Sequence, residues 1–167
     1  MTESFQDYKI RILGYIEGQN ILDLQTAMPD KLESYVKRIP ADILSVRPSL
    51  NKWSVREIVA HLADDELVGA YRIRLILSDP GTVIQAFDQD KWAQHGKYKS
   101  MQMESSLRLF RELRQWNLSL FECLNSEQWQ YYGIHAERGK ESIQDIATYY
   151  AGHDINHFKQ IEGIYSF

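Results

Sequence analysis

Two histidines four residues apart, His153 and His157, sit inside the stretch Tyr149-Tyr150-Ala151-Gly152-His153-Asp154-Ile155-Asn156-His157-Phe158-Lys159-Gln160-Ile161-Glu162, and they constrain the fold more than any other feature. On a helix, residues four apart lie one above the other on the same face. The apolar positions Ile146, Tyr150, Ile161 and Ile164 recur at three- and four-residue spacing, and His153 and His157 fill the gap between them in register. The stripe that should face a core therefore carries two imidazoles. A buried neutral imidazole needs a partner for each ring nitrogen. A metal ion is the simplest partner for both, and it requires further ligands from elsewhere in the chain.

The chain offers several other helices. Ser54-Val55-Arg56-Glu57 is a capping box, with serine at the N-cap, glutamate three residues on and Trp53 at the staple position. Ile58, Val59, Leu62, Ala70, Ile73 and Ile76 carry that helix to about Ser78, where Asp79-Pro80-Gly81 ends it. The first core helix of the chain is expected before it, over Pro29–Ile39, with Leu32, Tyr35, Val36 and Ile39 on one face and Pro40 as its stop. A third spans about Ser100 to Leu124, with Leu107, Phe110, Leu113, Leu120, Phe121 and Leu124 inward, and Ser142 is the N-cap of the last. Residues 1–24, broken by Gly14 and Gly18, read as a short helix or an arm.

Four amphipathic helices, with no strand pair or repeat evident in 167 residues, predict an all-α single domain over 1–167. The architecture is a four-helix bundle with long connections between its second, third and fourth helices. The connection 80–99 carries Phe87, Trp92, His95 and Tyr98 and suits a site wall as well as a cover for the bundle end.

Net charge is −4 and the basic residues are scattered, which argues against a nucleic-acid partner. The single cysteine, Cys123, permits no intramolecular disulfide and reads as a small core residue. With neither a signal-peptide pattern nor a membrane-length apolar run, the expected location is cytoplasmic, with no membrane partner.

A bare HxxxH recurs by chance, so the third ligand matters. His61 is the candidate, on another long helix beside inward-facing Leu62. Three histidines leave positions open on the ion, the arrangement of a catalytic rather than a structural site. Asp65, one turn beyond His61, shares its face and is the candidate to orient a ring N–H or take a proton. Asp154 should point about 100° away from its neighbour His153 and act as a cap or surface partner. Arg72 is expected to pair with Asp65, and His95 and His135 to be solvated in loops, His135 within reach of the site.

The motif Lys52-Trp53-Ser54-Val55-Arg56-Glu57-Ile58-Val59-Ala60-His61-Leu62-Ala63-Asp64, together with Gly152-His153-Asp154 through His157 to Gln160-Ile161, resembles the paired signatures of the DinB/YfiT-like superfamily. Phe87-Asp88-Gln89-Asp90-Lys91-Trp92, Tyr98 and the segment Gly133–Gly139 resemble the family's intervening segments, so the match runs from about residue 20 onward. The resemblance implies a four-helix bundle, often a homodimer, that binds a divalent metal through a triad corresponding to His61, His153 and His157. Nickel or zinc is the expected ion, with iron or manganese as alternatives. It implies a metal-dependent hydrolase of small amide or ester substrates, or an enzyme transferring a low-molecular-weight thiol such as bacillithiol or mycothiol to electrophiles. A non-catalytic stress-response binding module is the third expectation.

Overall fold

The computed structural model describes residues 3–167. In chain order it contains α1 (Phe5–Gly14), α2 (Ile21–Val36), α3 (Val55–Ser78), β1 (Val83–Ile84), α4 (Gln89–His95), α5 (Met103–Glu122), β2 (Tyr132–His135), β3 (Gly139–Ser142) and α6 (Ile143–Ile164). Helices α2, α3, α5 and α6 form the four-helix bundle: α2 and α3 each pack against both α5 and α6, and α1 lies along α6. The capping boxes at Ser54 and Ser142 are both closed, which fixes the start of the two helices that carry the histidines.

The bundle is layered along its length. One apolar cluster joins Met28, Leu32, Val59, Leu62, Leu107, Phe110, Phe158 and Ile161. A second joins Ile73, Ile76, Ile84, Phe121, Ile143, Ile146 and Tyr150. Between them every bundle helix contributes buried polar side chains: Gln25 from α2; His61, Asp65, Glu66 and Arg72 from α3; Arg114 and Asn117 from α5; His153, Asp154, Asn156 and His157 from α6. On α5, Arg114 and Asn117 hold the central inward positions, and Leu113 and Leu120 are only half-buried beside them.

Helix α2 begins eight residues before Pro29, earlier than its proline suggests. Asn20 caps it, its side chain accepting from the Leu22 and Asp23 amides. The proline has no N–H for the Gln25 carbonyl, and Arg114 Nη1 donates to that carbonyl at 3.4 Å instead. Replacing the lost helical bond from another helix makes the mid-helix proline tolerable.

The small sheet also departs from expectation. β2 and β3 form an antiparallel hairpin, Tyr132 opposite Ser142 and His135 opposite Gly139, and β1 adds in parallel to β2. Two- and four-residue strands are too short for a period to emerge, and the β1–β2 pairing spans about fifty residues of chain. Gly133 makes the pairing possible: a Cβ there would meet the Ile84 side chain at 2.4 Å. Cys123 is exposed at the end of α5 rather than in the core. Among the described residues no helix is long and apolar enough to cross a membrane.

Candidate metal centre

Helix α3 presents His61 and α6 presents His153 and His157 to one point in the polar layer, and all three are buried. His153 Nε2 lies 3.3 Å from His61 Nε2 and 3.1 Å from His157 Nε2. One donor atom from each ring falls within 4.8 Å of the others. Nitrogens bound to one tetrahedral ion at about 2.0–2.1 Å are about 3.3–3.4 Å apart, so the observed spacing suits a shared cation.

Tautomers make the same point. His157 Nδ1 is 2.9 Å from Gln160 Oε1, an atom that only accepts, so Nδ1 carries the proton and Nε2 presents a lone pair. One proton on His153 Nε2 or His61 Nε2 cannot give each of the two close nitrogen contacts a well-aligned hydrogen bond. A cation receiving three lone pairs removes that conflict. The buried side-chain atoms without a hydrogen-bond partner among the described residues are His61 Nδ1, Asp65 Oδ2 and His153 Nδ1, all in this cluster. His153 Nδ1 and Asp65 Oδ2 are 3.5 Å apart, close enough for electrostatic attraction but long for a hydrogen bond. A metal on Nε2 would fix the proton on Nδ1 and turn it toward that carboxylate. The donor set therefore fits a divalent ion.

Electrostatics keep the ligands in their binding form. Burial, reinforced by the neighbouring imidazoles, holds His61 and His153 well below the usual histidine range. Burial takes His157 down to about 4 against the opposing pull of Gln160. All three are neutral at pH 7. Asp65 is pushed up to about 7, mainly by burial, with Arg72 opposing the shift and Asp154 and Glu66 adding to it. Trp53 packs on His61 at a centroid distance of 4.8 Å and stacks on His157 at 6.3 Å, and Tyr149 stacks on His153 at 5.7 Å. These rings hold the imidazole planes and keep bulk water from them.

A cavity of about 100 Å³ reaches the cluster, lined by His61, Asp65, His153, Arg72, His135 and Tyr149 among others. A larger depression of about 710 Å³, bounded by Arg47, Glu57 and Lys97, touches Trp53 but none of the three histidines.

The expected site residues His61, Asp65, His153 and His157 are thus brought together. Three neighbours differ from expectation. His135 is buried on β2 at the cavity rather than solvated in a loop, with β1 paired alongside it, Ile84 opposite His135. Arg72 makes no ion pair with Asp65; its Nη2 donates to the Gln85 carbonyl at 2.9 Å and lies 3.3 Å from His135 Nε2, whose ring accepts from the Glu137 amide at Nδ1. Asp154 does point away from the triad, but into the core, where it meets Arg114 at 2.7 Å. His95 is exposed as expected. The stacking role of Trp53 was hidden behind its position before a helix cap, and that of Tyr149 behind its place beside the apolar stripe.

Comparison with known proteins agrees with this architecture. The DinB superfamily profile matches residues 25–161. The chain belongs to the DinB superfamily. A relative from Oceanobacillus iheyensis, named "putative metal-dependent hydrolase", is 27% identical over 139 residues, covering 79% of this chain and 80% of its own. A Bacillus licheniformis protein of the same name is 29% identical over 141 residues, covering 82% and 80%. The solved structure of YfiT from Bacillus subtilis, described as "a probable metal-dependent hydrolase with an unusual four-helix bundle topology", superposes with a TM-score of 0.82 at 21% identity, covering 98% of this chain and 88% of that one. At that identity the likeness speaks for the fold, and this DinB protein shares it.

Proposed function

We propose that the protein is a divalent-metal-dependent hydrolase of small amide or ester substrates, with His61, His153 and His157 as the ligands. The convergence of three neutral imidazoles on His153 Nε2, two of them, His61 and His153, lining a small cavity, carries this reading. The names of its relatives support the reaction class. When bound, the ion supplies Lewis acidity to a carbonyl and to the group attacking it.

The chain's own residues supply the rest. Gln160 holds the proton on His157 Nδ1, and Trp53 and Tyr149 fix the ring planes. Asp65 Oδ2 has no hydrogen-bond partner among the described residues, and its carboxyl is pushed up to about 7. Its carboxylate form, favoured beside a bound cation, can take a proton from the attacking group and return it to the leaving group. A site this small takes one reacting group at a time, which fits a small-molecule substrate.

The test combines elemental analysis of untagged protein with an ester and amide screen. About one divalent ion per chain is expected in the wild type, lost in His153→Ala, with turnover that Asp65→Asn lowers by about 10²–10⁴-fold while metal is retained. Absence of metal sinks the reading. Metal without hydrolysis, accompanied by addition of bacillithiol to an electrophile, replaces hydrolysis with thiol transfer.

A further inference from the structure

Buried arginines in this protein fall into two kinds. Arg114 meets Glu66 and Asp154, each at 2.7 Å, and the half-buried Arg138 holds both oxygens of Glu141. Arg72 is only 4% exposed, yet among the described residues no carboxylate forms an ion pair with it. Its hydrogen-bond acceptor is the Gln85 carbonyl, reached from Nη2; the same nitrogen lies 3.3 Å from His135 Nε2, and Nε and Nη1 have no partner among the described residues. The guanidinium lies over the Phe87 ring at 5.7 Å. The Asp65 carboxyl feels the guanidinium across the cavity without forming an ion pair with it, so the buried cation is only partly compensated, and an anion that reaches it from outside would relieve the remaining cost.

Its location indicates which anion. Arg72 lines the triad cavity and also a groove of about 540 Å³ whose walls include Leu67, Val68, Tyr71, Leu75, Phe87 and Trp92. Ala86 and Phe87 line both spaces as well, so the two meet at Arg72. The groove is largely apolar and of a size that takes a small-molecule ring or chain. Leu67, Tyr71 and Trp92 expose 47%, 66% and 38% of their surface there, an apolar patch continuous with the candidate centre. The inner cavity, at about 100 Å³, admits a reacting group but not the bulk of a ligand.

We infer that the site takes an amphiphilic small acid, with an aryl or alkyl group in the groove and a carboxylate on Arg72, next to the triad. A planar guanidinium fork matches a carboxylate, and the junction leaves its remaining donors for one. The inference deepens the hydrolase reading and rests on it for what happens to the ligand, but not for binding. It names the class of substrate: a carboxylic acid whose labile bond lies within a few atoms of the acid group and whose apolar part stays in the groove.

The test uses binding rather than turnover. N-benzoylglycine is titrated into the wild-type protein, followed by tryptophan fluorescence, beside its neutral methylamide and N-acetylglycine, which lacks the ring. Saturable binding of N-benzoylglycine is expected, weakened about tenfold or more by loss of either the charge or the ring. Arg72→Gln should bind the acid and the methylamide equally, and Tyr71→Ser, at an exposed groove position, should weaken only the two benzoyl ligands. Equal binding of acid and methylamide by the wild type overturns the inference, and that comparison needs no variant to fold. So does absence of saturable binding of N-benzoylglycine; a wild-type dimer that Tyr71→Ser dissociates in sedimentation would then make the groove a contact between two copies. Retained discrimination without hydrolysis of any ester or amide would refute only the hydrolase reading.

Discussion

Two polar clusters occupy the middle of this bundle side by side, built from neighbouring residues of the same two helices. Glu66 and Asp154 turn toward α5, where Arg114 Nε and Nη2 contact Glu66, Nη1 contacts Asp154, and Asn117 closes the remaining Glu66 oxygen at 2.7 Å. Asp65 and His153, one residue earlier on each helix, turn to the other side and join His61 and His157 around atoms that lack partners. The first cluster meets its charges internally, one guanidinium set between two carboxyl groups, with burial pushing Asp154 up to about 6. The second, together with Arg72, is complete only with groups from outside. A buried polar network with every donor and acceptor used is part of the scaffold, while one with orphaned atoms at a cavity is a site.

The contrast breaks most readily at Arg114. Arg114→Leu leaves two carboxylates buried without a cation and should lower unfolding free energy by about 3–5 kcal/mol, seen as a large fall in melting temperature. Replacing Glu66 and Asp154 by apolar residues in the same chain should recover much of that loss. A single variant that melts like the wild type would show that the cluster does not meet its charges internally.

At the triad the expected pattern is reversed. His153→Leu removes two imidazole nitrogens that lack good partners in the metal-free protein, so the apoprotein should melt within a few degrees of the wild type. What should vanish is the stabilisation by added zinc or nickel, worth about 2.7 kcal/mol at a hundredfold excess over Kd. A large loss of apoprotein stability would place the triad with the scaffold instead.

Acid sharpens the distinction further. His157 and His135 both lie near 4, and His61 and His153 lie well below their ordinary value, all chiefly through burial. In the unfolded chain these groups take protons near pH 6.5, while the folded apoprotein refuses them, so the unfolded state binds more protons in between. Stability from these groups is complete above about pH 6.5 and drains away as pH falls toward 4, at about 1.4 kcal/mol per unit for each histidine still neutral in the fold. Asp65, pushed up to about 7, and Asp154, pushed up to about 6, take protons in the fold over the same window and offset part of the loss. Urea melts across that range should therefore show a net decline, and His135→Asn should make it shallower. A flat profile would contradict the neutral, buried histidines. The smallest effect is expected from Gln160→Leu, which frees the His157 tautomer and should weaken zinc binding about tenfold, read by competition with a chromophoric chelator.

Much of this could be read from local pattern. The capping boxes at Ser54 and Ser142 and the register of His61, His153 and His157 depend on residues within one or two turns, so helix α3, helix α6 and the inward face of each histidine are visible in the chain itself. Asp65 was visible for the same reason. The start of α2 was obscured because Pro29 is an ordinary first-turn residue, and its tolerance in mid-helix depends on Arg114 reaching the Gln25 carbonyl from α5. His135 was misplaced because β1 and β2 are too short to show a period.

The chain's local chemistry decides that four amphipathic helices form and that three histidines and a carboxylate face inward, because helical periodicity and capping act over a few residues. Only the tertiary structure decides how the polar residues divide between scaffold and site. Asp154 and Arg114 are 40 residues apart, and Arg72 and His135 are 63. Nothing in the intervening sequence records that the first pair meets as opposite charges, while the second leaves a buried guanidinium facing a cavity. Charge balance in a core depends on which distant groups packing brings within a few ångströms, and that is a property of the folded chain.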